Sequence, residues 1–323
     1  MRAGRSSAVG LGLALLSAAT FGTSGTFARS LIEAGWSAGA AVATRVAIAA
    51  MLLSIPALVA VRGRWPVVRR ALGSIGAFGL LAVAGTQVAY FYAVQYLPVG
   101  VALLIEYSGI ILVVLWMWVV HGQRPRRLTV AGAVAALVGL VLVLNLAGGA
   151  HLHPIGILWA VIAAVGLAAY FVLSARIDPE LPATALAAGG MGFGTVILVA
   201  LGVIGVLPMH ATFGHVSFAG YRTSWLVPIV GLSLVAAVFS YVAGIGAARI
   251  LGASLASFVG LTEVLFAVLI AWVALDELPT VIQAVGGALI VAGIALVRLD
   301  SMRSPENVAV EEESPEPVAS GAR

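Results

Sequence analysis

The chain has 323 residues, of which 62% are hydrophobic and only 9% are charged, and its mean hydropathy is +1.11. Ordinary globular domains carry about 25% charged residues, so this composition excludes a water-soluble fold and indicates spans of about 20 apolar residues that each cross a bilayer. The sequence has no cysteine, which excludes disulfides and thiolate chemistry, and its net charge of +4 is an excess of arginine, since lysine is absent.

Ten apolar stretches follow one another along the chain. None alternates with period two over the length of a barrel strand, and each is long enough for a helix that satisfies its own backbone hydrogen bonds in lipid. The sequence therefore predicts an all-α membrane protein with ten transmembrane helices. These lie near residues 9–28, 37–61, 71–94, 99–120, 128–147, 154–174, 184–206, 225–246, 253–274 and 280–297.

The loop arginines predict the orientation of these helices. With a cytoplasmic N-terminus, 14 of the 17 arginines fall on the inner side, Arg29 and Arg222 fall outside, and Arg45 lies within a span. This asymmetry follows the positive-inside rule and places both termini in the cytoplasm. Because the arginines lie in short loops, where they set orientation, nucleic acid is not an expected partner.

The two halves of the chain share a pattern at an offset of 154 residues. The offset aligns Trp118 with Trp272 and Pro125 with Pro279, and it also aligns two glycine pairs. Five helices per half make this an inverted repeat, which is typical of carriers whose substrate site lies near the bilayer midplane. We expect one five-helix repeat over residues 8–147, a second over 154–299, and a disordered, acidic cytoplasmic tail over 300–323.

The chain resembles the drug/metabolite transporter superfamily, in its EamA-type branch of ten-helix carriers. The resemblance rests on Arg45 before a run of small residues, on Leu97-Pro98 at the start of the fourth span and on Asp276-Glu277 after the ninth. The segment Glu106-Tyr107-Ser108-Gly109 is similar to the glutamate-led segment of the threonine and homoserine exporters. Glu263 matches the family's glutamate in the ninth span. Three positions depart from the pattern: Ile110 and Val264 replace proline, and Gln123 replaces glutamate.

Three ionisable residues, Arg45, Glu106 and Glu263, lie well inside the predicted spans. Each costs at least about 2.5–3.5 kcal/mol at a helix centre, a cost that indicates a function. At 1.5 Å per residue, Arg45 and Glu106 lie roughly 12 and 10 Å below the outer ends of their spans. One interpretation is a binding cavity in which Arg45 holds a substrate carboxylate and Glu106 holds an amine or a coupling proton. The alternative is a closed Arg45–Glu106 ion pair that only joins helices.

Glu263 lies about 15 Å into its span, near the midplane. We expect it to accept and release a proton as access alternates; the alternative is a hydrogen bond to a serine or threonine of another helix. Gln87 lies at a depth similar to that of Glu106, and Tyr90 and Tyr107 are near in sequence, so these three are expected to line the same cavity.

Together these features predict a secondary transporter in the plasma membrane that exports small metabolites, amino acids or related amines, with protons as the coupling ion. The alternative is a polytopic membrane enzyme, which would cluster His, Asp or Glu at one membrane face. No phosphate-binding loop appears, and His151, His153, His210 and His215 have no acidic neighbour. We therefore expect no cofactor, no metal site and no enzymatic activity; the sequence does not indicate an oligomeric state.

Overall fold

The structure is a computed structural model that describes residues 2–145, 153–275 and 278–302. Several features named above lie outside these residues: His151, the Asp276-Glu277 pair, the end of the fifth predicted span and the tail from residue 303. Within the described residues, the α-helices are α1 (Arg2–Gly22), α2 (Ser24–Glu33), α3 (Ala38–Ala60), α4 (Trp65–Ala77), α5 (Thr86–Tyr96), α6 (Val99–Tyr107), α7 (Gly109–His121), α8 (Arg127–Val143), α9 (Pro154–Arg176), α10 (Ala183–Val203), α11 (Leu226–Ser233), α12 (Ser240–Leu251), α13 (Ala253–Gly260), α14 (Thr262–Leu275) and α15 (Val281–Met302).

Nine helical runs of the described chain are long and apolar enough to cross a membrane. A further apolar helix, α8, has 17 residues there, shorter than the others. Two of the runs contain π-helical segments, Phe78–Gly85 between α4 and α5 and Leu234–Phe239 between α11 and α12. Many large side chains on the outside of the bundle are apolar, as hydrocarbon surroundings require: Val203 and Val273 are 81% and 86% exposed.

The helices pack in pairs that join the two halves of the chain. The most extensive contacts join α8 to α15, α3 to α10, α1 to α12 and α5 to α9. In the first pair, a Cβ at Gly132 would lie 2.6 Å from the carbonyl oxygen of Gly293, and one at Gly139 would lie 2.5 Å from that of Gly286. Only glycine allows this backbone approach. Because the partner number falls as the number on α8 rises, α8 and α15 are antiparallel.

A short antiparallel hairpin departs from the all-α expectation. It joins β1 (His215–Phe218) to β2 (Tyr221–Ser224), in the predicted outer loop after α10. Ala219 and Gly220 turn the chain with positive φ angles of 49° and 79°, the backbone that a two-residue hairpin turn requires. The loop before the hairpin is held against the turn between α2 and α3, where the Ser37 amide donates to the His210 carbonyl at 2.9 Å.

Candidate functional site

A cavity of about 690 Å³ lies between the two halves of the chain. Its walls come from the first membrane-crossing run, from α3, α5, α6 and the end of α8, and from helices of the second half. All six residues singled out in the sequence line this one cavity: Arg45, Gln87, Tyr90, Glu106, Tyr107 and Glu263.

Arg45 reaches the cavity from the first half of α3. The Ser37 side chain caps that helix by accepting the Ala40 amide at 3.2 Å, and alanines let the helix pack closely before the arginine. Arg45 is only 6% exposed, and its Nε has no hydrogen-bond partner. Its Cζ lies 5.7 Å from the centre of the Phe21 ring, a cation–π distance. Buried donors are rarely left unpaired, so the guanidinium is available to an anion in the cavity.

The electrostatic partners of Arg45 bear on the closed ion pair that the sequence left open as an alternative. Among the described residues no ion pair joins Arg45 to Glu106. Arg45 instead interacts electrostatically with Tyr241 and Glu263. The closed Arg45–Glu106 pair that the sequence left open is therefore not formed in this structure.

Glu106 and Glu263 lie beside matching breaks in two membrane-crossing runs. α6 gives way to α7 at Ser108, whose hydroxyl donates to the Ile105 carbonyl, and Glu106 belongs to the last turn of α6. α13 gives way to α14 at Leu261, and Glu263 belongs to the first turn of α14. Each break turns a carboxylate-bearing helix end toward the cavity, as in carriers with discontinuous helices.

Tyr107 connects the two breaks. Its side chain lies near Glu263, Glu106 and Tyr90 and interacts electrostatically with all three. Two acids, this phenol and one guanidinium therefore share the cavity.

The two π-helical segments precede polar residues of the third and seventh membrane-crossing runs, Trp65–Tyr96 and Leu226–Leu251. Thr86 follows the first segment and donates to the Leu81 carbonyl at 2.8 Å, which brings Gln87 and Tyr90 onto the cavity wall. Ser240 follows the second and donates to the Ala236 carbonyl at 2.8 Å, just before Tyr241. Such bulges shift the helical register by one residue and are frequent at functional sites.

The sequence reasoning missed an aromatic group that lines the same cavity. Tyr170 lies edge-on to Tyr241 with ring centres 5.4 Å apart, and Phe21 lies 5.8 Å from Tyr241. The repeat could have identified Tyr241, because the 154-residue offset aligns it with Gln87. No comparable signal marks Phe21 or Tyr170, since both come from helices that contact the site only after packing.

Three other aromatic residues, Tyr92, Tyr96 and Trp225, do not line the cavity. The Tyr92 hydroxyl donates to the Val206 carbonyl at 2.7 Å, Tyr96 stacks on His153, and Trp225 packs against Trp36. Within the described residues no three His, Asp or Glu side chains come together in a way that would hold a metal ion.

Comparison with known proteins identifies the kind of molecule that carries this cavity. The profile of the EamA-like transporter family matches residues 8–145 and again 154–299. Two uncharacterized transporters of Archaeoglobus fulgidus are similar: one is 26% identical, with 67% of this chain and 74% of the relative covered, and the other is 28% identical, with 70% and 76% covered. The names of the family and of these relatives are consistent with a protein that is not an enzyme.

The fold itself has a solved counterpart. The crystal structure of a protein that is 21% identical to this chain superposes with a TM-score of 0.72, covering 93% of this chain and 98% of the other. At this level of identity the likeness shows that the fold is shared.

Proposed function

Because the chain belongs to the EamA-like transporter family and is a multi-pass membrane transporter, we propose that it is a secondary carrier that exports small metabolites, amino acids or related amines, from the cell. Transport proceeds by alternating access, with protons as the coupling ion. The proposed architecture has ten spans, arranged as inverted repeats over residues 8–147 and 154–299, with both termini and the tail over 300–323 on the cytoplasmic side of the plasma membrane.

The packing of α8 against α15 supports the inverted repeat. The 154-residue offset aligns Gly132 with Gly286 and Gly139 with Gly293, which makes the two helices equivalent members of the two halves. Equivalent helices of a parallel repeat would run in the same direction through the membrane, whereas these two are antiparallel. The arginine asymmetry of the loops supports the orientation.

The buried Arg45 side chain, whose Nε has no hydrogen-bond partner, is the observation that carries the substrate class. A cation that is 94% buried and lacks a partner for Nε favours an anionic group of the substrate, and guanidinium binds carboxylates with parallel hydrogen bonds. Glu106, on the same cavity, is suited to an amine. One guanidinium and one carboxylate fit the two charges of an amino acid, and the likeness of the Glu106 segment to threonine and homoserine exporters favours the same class.

The position of Glu263 supports proton coupling. Its carboxylate interacts with Arg45 and with Tyr107, so its charge state is linked to both walls of the cavity. A substrate carboxylate that binds Arg45 weakens the attraction between Arg45 and Glu263. Gain or loss of a proton at Glu263 therefore follows substrate binding, as coupled transport requires.

Counterflow of labelled amino acids in proteoliposomes tests the substrate class, with a panel of amino acids and amines as competitors. Arg45→Gln is expected to weaken binding of amino acids about tenfold or more, because a hydrogen bond to a charged group contributes about 1.5–3 kcal/mol, and to leave amines without a carboxylate unaffected. Arg45→Lys keeps the charge but loses the paired geometry and should fall between the two.

Arg222→Gln is the matched control, since Arg222 is exposed on the hairpin, away from the cavity. If Arg45→Gln stays folded and loses affinity for amines and for amino acids equally, this result would contradict recognition of the carboxylate by Arg45. No counterflow by the natural chain with any member of the panel would contradict the amino acid class.

A further inference from the structure

A second cavity, of about 570 Å³, forms a groove between α14 and α15. Apart from Gln283, every residue that lines it is apolar, and the floor on α15 consists largely of alanine and glycine. On α15 the lining runs from Gln283 to Ala295, about 18 Å at 1.5 Å per residue, which is more than half of the hydrocarbon thickness.

The groove faces the surroundings of the bundle. Residues of α14 and α15 beside and along it are exposed and apolar, including Leu269 at 46% and Val291 at 55%. In a membrane transporter these surroundings are acyl chains, so the groove is filled with hydrocarbon in some form.

The groove borders the central cavity. Val143, Val268 and Gln283 line both spaces. α14 packs mainly on α1 and makes only sparse contact with α8 and α15, which leaves an opening between α14 and the α8–α15 pair. The groove therefore lies between the bilayer and the cavity that holds Arg45, Glu106 and Glu263.

Gln283 lies where the groove meets the central cavity. Its Nε2 donates to the Val143 carbonyl at 3.1 Å and so joins α15 to the end of α8, while its Oε1 accepts the Thr280 amide at 2.9 Å. This bond joins the two helices on one side of the opening and does not involve α14, which forms the other side. Gln283 is the only polar side chain among the residues that line the groove.

We propose that the groove is a lateral opening that holds the hydrocarbon tail of an amphiphilic amino acid, whose charged head group lies at Arg45 and Glu106. This inference rests on the proposed function and narrows its substrate class to amino acids with long apolar side chains. The charged head group binds where the buried charges are, and the hydrocarbon tail requires an apolar space next to that site. The two contiguous cavities provide both, and a small hydrophilic amino acid would leave the groove unused.

Chain length is the first test, with purified protein and the probes α-aminobutyrate and α-aminooctanoate, which differ by four methylenes and share one head group. Each buried methylene strengthens binding about fourfold, so α-aminooctanoate is expected to bind at least about tenfold more tightly. Ala288→Phe fills the groove and should remove this advantage while leaving α-aminobutyrate unchanged. Val285→Phe, on an exposed face of the same helix outside the groove, is the matched control.

Equal affinity for the two probes, with α-aminobutyrate binding retained, would overturn the lateral opening and leave the proposed function standing. Binding of neither probe would instead overturn the proposed substrate class, and the opening with it as a substrate path.

A spin-label experiment distinguishes a substrate tail from a membrane lipid as the occupant of the groove. The natural chain has no cysteine, so Val268→Cys provides a single labelling site where the two cavities meet. Frequent collisions of the label with oxygen, which concentrates in hydrocarbon, are expected, and α-aminooctanoate should reduce them whereas α-aminobutyrate should not. A label shielded from oxygen, or one that α-aminooctanoate leaves unchanged because bilayer lipid fills the groove, would overturn the proposal.

Discussion

The two halves of the chain can be compared at their helix breaks, one between α6 and α7 and the other between α13 and α14. Each break lies beside a glutamate of the candidate site. The 154-residue offset places Ser108 and Leu261, where the helices change, within one residue of each other. At both breaks a single residue separates two short helices, but the glutamate occupies a different position relative to that residue. Glu106 comes before the first break, whereas Glu263 comes after the second.

Glycine occupies the position equivalent to each glutamate, and the packing around the two glycines differs. Gly109 is equivalent to Glu263, and a Cβ there would overlap the backbone carbonyl of Ala164 on α9. Gly260 is equivalent to Glu106, and a Cβ there would lie 2.9 Å from the ring of Phe171. An acid at residue 109 would force two backbones apart. Helix packing thus permits one carboxylate per break, so the two acids of the site come from different sides of the breaks.

The largest expected effect comes from removing the acid after the second break. Glu263→Gln keeps the shape of the side chain but cannot take up a proton. We expect uptake driven by an imposed pH gradient to fall about a hundredfold, which corresponds to a loss of about 2.8 kcal/mol of coupling, while counterflow without a gradient continues. The measurement is uptake of a labelled amino acid into proteoliposomes over a range of imposed gradients.

Glu33→Gln is the control for this experiment, because Glu33 pairs with Arg29 on the surface and does not line the cavity. If Glu263→Gln responds to every imposed gradient as the natural chain does, Glu263 has no part in coupling.

Removing the acid before the first break is expected to act on substrate recognition. Glu106→Gln loses the charged partner of the substrate amine, so the affinity for amino acids should fall about tenfold or more, because hydrogen bonds to charged groups contribute about 1.5–3 kcal/mol. Carboxylates without an amine should bind as before. Competition for labelled amino acid binding measures both. An equal loss for both ligand types would assign Glu106 to the general shape of the cavity.

The smallest expected effects come from the two glycines. Gly109→Ala should destabilise the protein by about 1–3 kcal/mol, because the methyl group meets a backbone carbonyl that cannot move alone. Gly260→Ala should cost less than this, since the Phe171 ring can rotate away. Thermal unfolding in detergent measures the difference. Equal melting temperatures for the two variants would contradict the packing difference between the breaks.

The sequence predicted much of the site because ionisable residues inside apolar spans are rare. Arg45, Glu106 and Glu263 were found by their cost in lipid, and Gln87, Tyr90 and Tyr107 by their depth and proximity along the chain; the structure brings all six to one cavity. Their roles remain predictions, to be decided by the substitutions above.

Other features could not be read from the chain because they depend on contacts between distant segments. The electrostatic partners of Arg45 come from α12 and α14, which supply Tyr241 and Glu263, and the placement of those helices relative to α3 cannot be predicted from the chain. The hairpin in the outer loop forms through a two-residue turn at Ala219-Gly220 that has none of the usual asparagine or aspartate signals. The helix breaks follow from local hydrogen bonds that apolar periodicity does not reveal.

The glycine contacts between α8 and α15 restrict how this carrier can change shape. Two backbone contacts seven residues apart fix both the separation and the sliding of the pair, and polar bonds close each end, from Thr129 to Asp300 and from Gln283 to Val143. If the pair bent, or if one helix slid along the other, all of these contacts would be lost together. In the proposed alternating access we therefore expect this pair to stay rigid, while the helices around it move and expose the cavity to one side of the membrane and then to the other.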